Sequence, residues 1–247
     1  MKNKKSILVP YITAGFPTTK LFEPVLKLLS ENGADFIEIG VPHSDPLADG
    51  PVIQQSSKIA IENGVNLPWI VNVCKKLINK NLKPLILFSY FNPIQQYGLE
   101  KLLNDLPKPL FYGLIIPDLP LEESEKYFPI FKKHALNLIL LAAPTSKKEK
   151  IKKIANASQG FIYLVSVTGT TGVRSVFSSD LRRKIKEIKS YTDKPVVIGF
   201  GISKLEQAKK ILSYGADGII IGSALIKLLG EGKRSLAKVK NFISKLA

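Results

Sequence analysis

The stretch Gly33-Ala34-Asp35-Phe36-Ile37-Glu38-Ile39-Gly40 recurs near the other end of the chain as Gly215-Ala216-Asp217-Gly218-Ile219-Ile220-Ile221-Gly222. In each copy the first glycine ends a helical pattern and a short turn follows. A short apolar strand comes next, and a second glycine follows it. Two such copies in one chain indicate two like strand–helix units of a parallel α/β fold. The copies differ at the strand centre, where Glu38 in the first copy corresponds to Ile220 in the second.

Outward from these two copies, short strand patterns alternate with helical patterns along the whole chain. Eight strands at a mean spacing of about 30 residues match a (β/α)₈ TIM barrel of the α/β class better than a six-stranded Rossmann sheet. No linker or biased segment interrupts the pattern, so residues 1–247 are expected to form a single domain. The predicted strands are Ile7–Ile12, Phe36–Ile39, Pro84–Ser89, Phe111–Ile116, Asn137–Leu141, Phe161–Val165, Pro195–Ile198 and Gly218–Ile221. The predicted helices are Leu21–Glu31, Ile53–Asn63, Pro68–Asn79, Leu99–Leu106, Glu122–His134, Lys147–Asn156, Leu181–Ser190, Leu205–Tyr214, Ala224–Leu229 and Ser235–Lys245.

The chain is strongly basic, with 36 Lys+Arg against 20 Asp+Glu and a net charge of +16, which raises the alternative of a nucleic-acid-binding protein. Almost all of the positive residues are lysines, whereas arginine is the preferred bidentate reader of bases and phosphates. The lysines also follow helix-surface spacing, as in residues 147–154, where Ile151 and Ile154 are predicted to point inward. We therefore interpret the charge as a solvated surface and expect no nucleic-acid partner.

Cysteine and histidine are scarce: the chain has one Cys and two His, so neither a disulfide framework nor a Cys/His zinc site is expected. The longest apolar runs are strand-sized and fall short of the ~20 residues that a membrane span needs. The basic start of the chain is followed by the apolar segment 7–12, which Pro10 interrupts and which is too short for a signal peptide. A cytoplasmic protein is expected.

Glu38 is the first candidate for chemistry. Because side chains alternate along a strand, Ile37 and Ile39 share one face and Glu38 takes the other. In a barrel the two isoleucines suit the helix layer, which leaves Glu38 in the lumen. Burial raises the pKa of a carboxyl group toward neutrality, as a general acid or base requires. The alternative is a structural glutamate whose hydrogen bonds are satisfied within the core.

Asp49 is the second candidate. It lies in the loop Val41–Pro51, which follows the Glu38 strand and whose prolines limit its movement. This position makes it a second active-site carboxylate; alternatively, it caps the helix that starts near Val52. For Asp45, before Pro46, a turn-forming role is an equal alternative.

The loop carries a resemblance to a known family. The run from Ile37 through Pro51 resembles the signature of the tryptophan synthase alpha chain family, and similar stretches cover essentially the full chain. Those stretches are Val9–Gly15, Ser89–Pro93, Ile116–Pro120, Gly169–Gly172, Gly199–Ser203 and Gly222–Ala224.

The resemblance implies a lyase of tryptophan biosynthesis that cleaves indole-3-glycerol phosphate by a retro-aldol reaction to indole and glyceraldehyde 3-phosphate. It implies that Glu38 is the general acid/base at indole C3 and the glycerol hydroxyl, and that Asp49 holds the indole N–H. It further implies an α₂β₂ heterotetramer with a beta subunit that receives indole through a tunnel. Pyridoxal phosphate (PLP) belongs to that partner, and neither cofactor nor metal is expected in this subunit. The implied contact surface includes the loops around Asp45-Pro46, Asn92-Pro93 and Pro120.

The resemblance also implies the remaining site residues. Val167–Ser179 corresponds to a mobile loop that closes over substrate, with Thr171 contacting Asp49. Backbone amides beside glycines after the last three strands would bind the phosphate, although each glycine alone could be a turn. For most of the aromatic and apolar candidates for the indole pocket, core packing is an equal alternative. The phosphate candidates are Gly172, Gly201, Gly222 and Ser223, and the pocket candidates are Tyr11, Phe88, Tyr90, Ile115, Tyr163 and Phe200.

Other aldolase chemistries lack their residues here: none of the predicted strand ends carries a Schiff-base lysine, and the histidines do not converge as metal ligands. His43 departs from the family signature, where an aromatic residue or Cys is usual, and is given no catalytic role.

Three alternatives for the function of the whole chain remain open. They are a sugar-phosphate isomerase barrel, a basic nucleic-acid-binding protein, and a catalytically weak alpha-type subunit that mainly activates the beta subunit.

Overall fold

The architecture comes from a computed structural model, which describes residues 6–166, 179–199, 201–202, 204–232 and 235–246. Nine parallel strand segments form one sheet in the order β5-β4-β3-β2-β1-β9-β8-β7-β6. Their apolar, largely β-branched cores and their burial on both faces are typical of a barrel whose outer face is covered by helices. The segments are β1 Ile7–Thr13, β2 Ile37–Gly40, β3 Leu85–Phe88, β4 Phe111–Ile115, β5 Asn137–Ile139, β6 Leu141–Ala142, β7 Ile162–Val165, β8 Val196–Gly199 and β9 Gly218–Ile221.

The ring closes through the fifth predicted strand, which the structure splits in two. β5 pairs with β4 and β6 pairs with β7, so one stretch of chain joins the two ends of the sheet. At the break, the Leu140 N–H donates to the Ser158 hydroxyl at 3.0 Å, while the Leu140 carbonyl accepts from the Tyr163 N–H at 3.1 Å. The predicted count of eight strands is therefore corrected to nine segments, because a serine side chain takes one ladder position. The (β/α)₈ barrel itself is confirmed.

Helices follow the strands around the ring, and most begin and end within a few residues of the predicted positions. They are α1 Phe22–Glu31, α2 Pro51–Glu62, α3 Leu67–Lys76, α4 Phe91–Tyr97, α5 Leu99–Asp105, α6 Leu121–Ser124, α7 Phe128–Lys133, α8 Lys148–Ala157, α9 Ser179–Lys189, α10 Leu205–Ser213, α11 Ser223–Leu229 and α12 Ser235–Ser244. Short 3-10 turns cover Thr19–Leu21 and Glu125–Tyr127.

One predicted helix and one predicted loop are wrong. The predicted helix Glu122–His134 is α6, a 3-10 turn and α7 in succession, because Pro129 has no N–H to continue the helical ladder and so sits at the start of a new helix. The segment around Asn92-Pro93, which we expected to be a loop, lies in α4. Its proline falls in the first turn, where no N–H is needed, and the Phe91 N–H donates to Asp118 Oδ1 at 2.9 Å.

The layer between strands and helices is apolar, and the exterior of α8 is rich in lysine. Ile37 and Ile39 are fully buried, as are Ile151 and Ile154 on α8, whereas the α8 lysines are exposed or half-exposed. The interpretation of the lysine-rich segment as a solvated helix face is confirmed for α8. Within the described part of the chain, none of the helices combines the length and the apolar character that crossing a membrane requires.

The repeated Gly-Ala-Asp motif makes the same pair of hydrogen bonds in both copies. Asp35 donates its N–H to the Leu8 carbonyl of β1, and its carboxylate accepts the Leu8 N–H, both at 2.9 Å. Asp217 forms the same two bonds with Val196 of β8, again at 2.9 Å. Each aspartate therefore joins the start of the preceding strand in the ring to its own strand, and this explains why the motif occurs twice.

We predict that Asp35→Ala lowers the free energy of unfolding by about 1.5–3 kcal/mol, the usual worth of a hydrogen bond to a charged acceptor. Asp35→Asn keeps an acceptor oxygen for the Leu8 N–H and should lose clearly less. Urea unfolding of both variants at neutral pH measures the difference. Equal losses for Ala and Asn would show that the side-chain bond does not hold β1.

Candidate active site

Glu38 lies inside the barrel, as predicted. It sits at the centre of β2, in register with Tyr11 of β1, and only 1% of it is exposed. Tyr163 on β7 lies on the other side of the ring; burial raises the pKa of Tyr163, and a negative charge on Glu38 adds to that rise. Glu38 Oε2 has no hydrogen-bond partner among the described residues. The alternative of a structurally satisfied glutamate therefore lacks support for this oxygen.

The surroundings of Glu38 favour its protonated form. Burial raises the pKa of Glu38 to about 8, and the negative charge of Asp49 adds to that rise. Both effects have the same sign because each disfavours a second anion in a desolvated space. A carboxyl group of this kind is protonated at neutral pH and can donate its proton.

Asp49 is buried beside Glu38, but it has a hydrogen-bond donor. Tyr90 donates its hydroxyl proton to Asp49 Oδ2 at 3.2 Å, and the same hydroxyl oxygen accepts the Ala48 N–H at 2.9 Å. Burial raises the pKa of Asp49 to about 6, and the bond from Tyr90 opposes the rise. The capping alternative is wrong: Gly50 occupies the N-cap of α2, and the Asp49 carboxylate turns to Tyr90 instead.

The pocket candidates that the structure describes are brought together. Gly40, Phe88 and Ile115 are in register across β2, β3 and β4, so they lie on the lumen face, and Gly40 is two residues beyond Glu38 on β2. Tyr11 meets Phe88 edge to face, with ring centroids 5.9 Å apart. Tyr11, Phe88, Tyr90, Ile115 and Tyr163 are all at least nine-tenths buried. Phe200 and Thr171 lie outside the described residues.

Tyr11 explains why both repeats end on a glycine, Gly40 in the first and Gly222 in the second. β1 lies between β2 and β9, so Tyr11 is flanked by Gly40 on one side and Gly222 on the other. A methyl group on Gly40 would overlap the Tyr11 hydroxyl, and one on Gly222 would press against its ring. The absence of a side chain at both positions makes room for this tyrosine in the lumen wall.

The described phosphate candidates follow the adjacent strands β8 and β9. Gly201 has φ +73°, a conformation that favours glycine, and it is exposed. Ser223 begins α11, one residue earlier than predicted, and Gly222 is its N-cap. The first N–H groups of a helix lack intrahelical partners and favour an anion. Gly172 lies outside the described residues, as does the predicted mobile loop except for its last residue, Ser179.

Two features of the site were not predicted. Thr13 Oγ1 and Ser56 Oγ lie 2.6 Å apart in a buried contact that ties β1 to α2, the helix that follows Asp49. The alternation along β1 places Thr13 on the same face as Tyr11, and this was the available signal. His43 stacks on the Tyr90 ring with centroids 4.9 Å apart and planes at 28°, a contact that spacing alone does not reveal.

Metal chemistry has no visible set of ligands here. Nowhere in the described ranges do three His, Cys, Asp or Glu side chains gather as a metal site would need. His134 ends α7, with Nε2 3.9 Å from Glu100 Oε1.

The titratable pair that the structure assembles is Glu38 with Asp49. Their different surroundings separate the two pKa values, so one proton donor and one anion coexist near neutral pH.

Comparison with known proteins identifies one family over nearly the whole chain. A family model described as tryptophan synthase alpha chain matches residues 1–246. A tryptophan synthase alpha chain of Picosynechococcus sp. is 46% identical over 241 residues, which cover 97% of this chain and 91% of the relative. One of Arabidopsis thaliana is 44% identical over 229 residues, covering 93% and 83%.

Solved structures give the same answer at the level of the fold. A chain from the X-ray crystal structure of a tryptophan synthase complex from Pyrococcus furiosus superposes with a TM-score of 0.87 at 31% identity. The match covers 98% of each chain. Sequence and fold therefore agree over nearly the whole length of the protein.

We predict that Glu38→Gln becomes more stable relative to the wild type as pH rises from 5 to 9. The folded wild type retains a proton up to a pKa of about 8, whereas an unfolded glutamate releases it near 4.5. The free energy of unfolding of the wild type therefore falls between these values, by on the order of 5 kcal/mol. The glutamine variant has no proton to lose and escapes this fall.

Chemical denaturation at several pH values measures this difference, with Glu62→Gln on the exposed surface of α2 as the matched control. The control should keep a constant offset from the wild type. A constant offset for Glu38→Gln as well would mean that Glu38 ionises as an ordinary exposed carboxyl group does.

Proposed function

The chain belongs to the tryptophan synthase alpha chain family, and on that premise we propose that Glu38 and Asp49 together carry out its carbon–carbon bond cleavage. Family membership makes the protein a lyase subunit of tryptophan biosynthesis, acting on indole-3-glycerol phosphate. One observation carries the proposal for these two residues. The Glu38 carboxyl group is desolvated and lies next to Asp49, and its Oε2 lacks a hydrogen-bond partner in the described part of the lumen.

In the first step, protonated Glu38 transfers its proton to C3 of the indole ring. The ring becomes a cation, and its nitrogen carries much of the positive charge. Asp49, ionised and held by Tyr90, accepts the indole N–H and stabilises this charge. The pKa values favour this division, since at pH 7 the proton belongs on Glu38 and the negative charge on Asp49.

In the second step, the Glu38 carboxylate takes the proton of the glycerol hydroxyl next to the ring. The electrons of that O–H bond form the aldehyde C=O, and the electrons of the C–C bond return to the indole. Indole and glyceraldehyde 3-phosphate leave, and Glu38 again holds a proton. The cycle consumes no proton overall, so two carboxyl groups suffice and no cofactor is proposed for this subunit.

For the rest of the site, we infer that the amides near Gly201, Gly222 and Ser223 bind the phosphate, together with Gly172. The lumen wall of Tyr11, Phe88, Tyr90, Ile115 and Tyr163, joined by Phe200, would contact the indole. Burial of the wall and the start of α11 at Ser223, where the first N–H groups have no intrahelical acceptor, support this arrangement. Thr171 is proposed to contact Asp49 when the loop of residues 167–179 closes.

Membership of the family implies a beta-subunit partner. We propose an α₂β₂ heterotetramer in which that partner carries PLP and receives indole, with residues 1–247 acting as one catalytic domain in the cytoplasm. The similar chain from Pyrococcus furiosus was crystallised as part of a tryptophan synthase complex, which supports an assembly of this kind.

We predict that Glu38→Gln lowers turnover of indole-3-glycerol phosphate by roughly 10²- to 10⁴-fold, the usual worth of a positioned general acid. The amide matches the carboxyl in size, so substrate affinity should change little. Indole release by the purified chain, with and without the beta subunit, measures this. Wild-type turnover in the Gln variant would remove Glu38 from the mechanism.

The same assay separates the enzyme from a catalytically weak activator. A wild-type chain that releases no indole under either condition, yet stimulates the beta subunit, would identify the activator.

We predict a bell-shaped pH dependence of kcat/KM, with an acidic limb near 6 and a basic limb near 8. Activity rises as Asp49 ionises and falls as Glu38 loses its proton. Initial rates from pH 5 to 9 give the profile. A basic limb absent below pH 9 would contradict the requirement for protonated Glu38.

A further inference from the structure

His43 lies against the residue that holds Asp49. It follows β2 in the same loop as Asp49 and is half-buried. Its imidazole stacks on the Tyr90 ring, with centroids 4.9 Å apart and an interplanar angle of 28°. Offset stacking of this kind stabilises one orientation of a ring pair. The loop that carries Asp49 thus also supplies a flat group that covers the Tyr90 ring.

The Tyr90 hydroxyl depends on the orientation of its ring. It accepts the Ala48 N–H at 2.9 Å and donates to Asp49 Oδ2 at 3.2 Å, which is at the long end of hydrogen-bond distances. Phe88 meets the Tyr90 ring edge-on at 6.4 Å, with the planes at 86°. Phe88 therefore contacts Tyr90 edge-on, whereas His43 covers a face of the ring. A modest movement of that ring would lengthen the bond to Asp49 beyond its useful range.

We propose that His43 is a positioning residue for the cleavage reaction: its stacking fixes the Tyr90 ring so that the Tyr90 hydroxyl stays bonded to Asp49. The inference rests on the proposed role of Asp49 as the group that stabilises the indole cation. His43 touches neither the substrate nor the reacting atoms in this mechanism. It acts on the charge of Asp49 through Tyr90.

The consequence is electrostatic. The groups that face Asp49 in the described site are Tyr90 at the start of α4, Glu38 on β2, Tyr11 on β1 and Tyr163 on β7. The Tyr90 hydrogen bond lowers the pKa of Asp49 against the effect of burial. Loss of the stack should weaken that bond, so the pKa of Asp49 rises and less of the anion is present at pH 6–7.

The experiment is a double-mutant cycle in the full chain with the variants His43→Ala, His43→Phe, Tyr90→Phe and His43→Ala/Tyr90→Phe. The first readout is a ¹³C NMR titration of the Asp49 carboxyl, assigned with Asp49→Asn. The second is the pH profile of kcat/KM in the presence of the beta subunit. The substrate is the same throughout, so its own phosphate ionisation cannot cause a difference between variants.

We expect His43→Ala to raise the pKa of Asp49 by roughly half a unit and to lower kcat/KM near pH 6 by about two- to tenfold. His43→Phe keeps a flat ring over Tyr90 and should restore both values. In the Tyr90→Phe background the Ala substitution should have no further effect, because the hydroxyl through which His43 acts is gone.

An unchanged Asp49 titration in His43→Ala would overturn the inference. So would an effect of the same size in the Tyr90→Phe background, or a His43→Phe variant that behaves like His43→Ala. The proposed function has a separate test, because full turnover in Asp49→Asn would remove the role of Asp49. The NMR cycle needs no turnover, so it still decides whether His43 positions Tyr90.

Discussion

The desolvation of one carboxyl group inside a closed ring of strands is the constraint on which the rest of the site depends. Glu38 is central in β2 with 1% exposure, and its Oε2 lacks a partner within the described lumen. Such burial is costly for an ionised carboxylate, so the group retains its proton to a pKa of about 8. The closed ring maintains this condition because β5 and β6, on either side of Leu140, join the two ends of the sheet, so that Glu38 is enclosed by strands.

Two carboxyl groups of similar intrinsic acidity take different roles because their partners differ. Asp49 receives a hydrogen bond from Tyr90, which opposes the effect of burial, and Glu38 Oε2 receives none from the described residues. Burial raises the pKa of Glu38 and the charge of Asp49 adds to that rise, so the anion at Asp49 favours the protonated form of Glu38. The separation of acid from anion therefore depends on the small group of aromatic residues around Asp49, with His43 stacked on Tyr90.

The barrel could be predicted from local patterns because strand–helix alternation and the repeated Gly-Ala-Asp motif are local signals. The failures have two causes: a distant group that changes the backbone pattern, and a local proline that the helical periodicity did not take into account. The Ser158 hydroxyl accepts the Leu140 N–H and splits the fifth strand. Nothing in the sequence of residues 137–141 indicates this break. The hydrophobic periodicity predicted one continuous helix, which the structure divides at Pro129. The proline is visible in the sequence and could have indicated the break. The hydrogen bond from Tyr90 to Asp49 was also missed, because it joins residues 41 positions apart.

The sequence by itself determined the parallel α/β class, the inward direction of Glu38 and the presence of a second carboxylate in the loop after β2. These follow from the two-residue period of a strand and from short-range order along the chain. Only the tertiary structure decided that Asp49 bonds to Tyr90 rather than capping α2, that Gly40 and Gly222 make room for Tyr11, and that His43 covers Tyr90. Desolvation and ring contacts are set by residues that meet only when the barrel closes, so the protonation states that the chemistry needs are a property of the folded molecule.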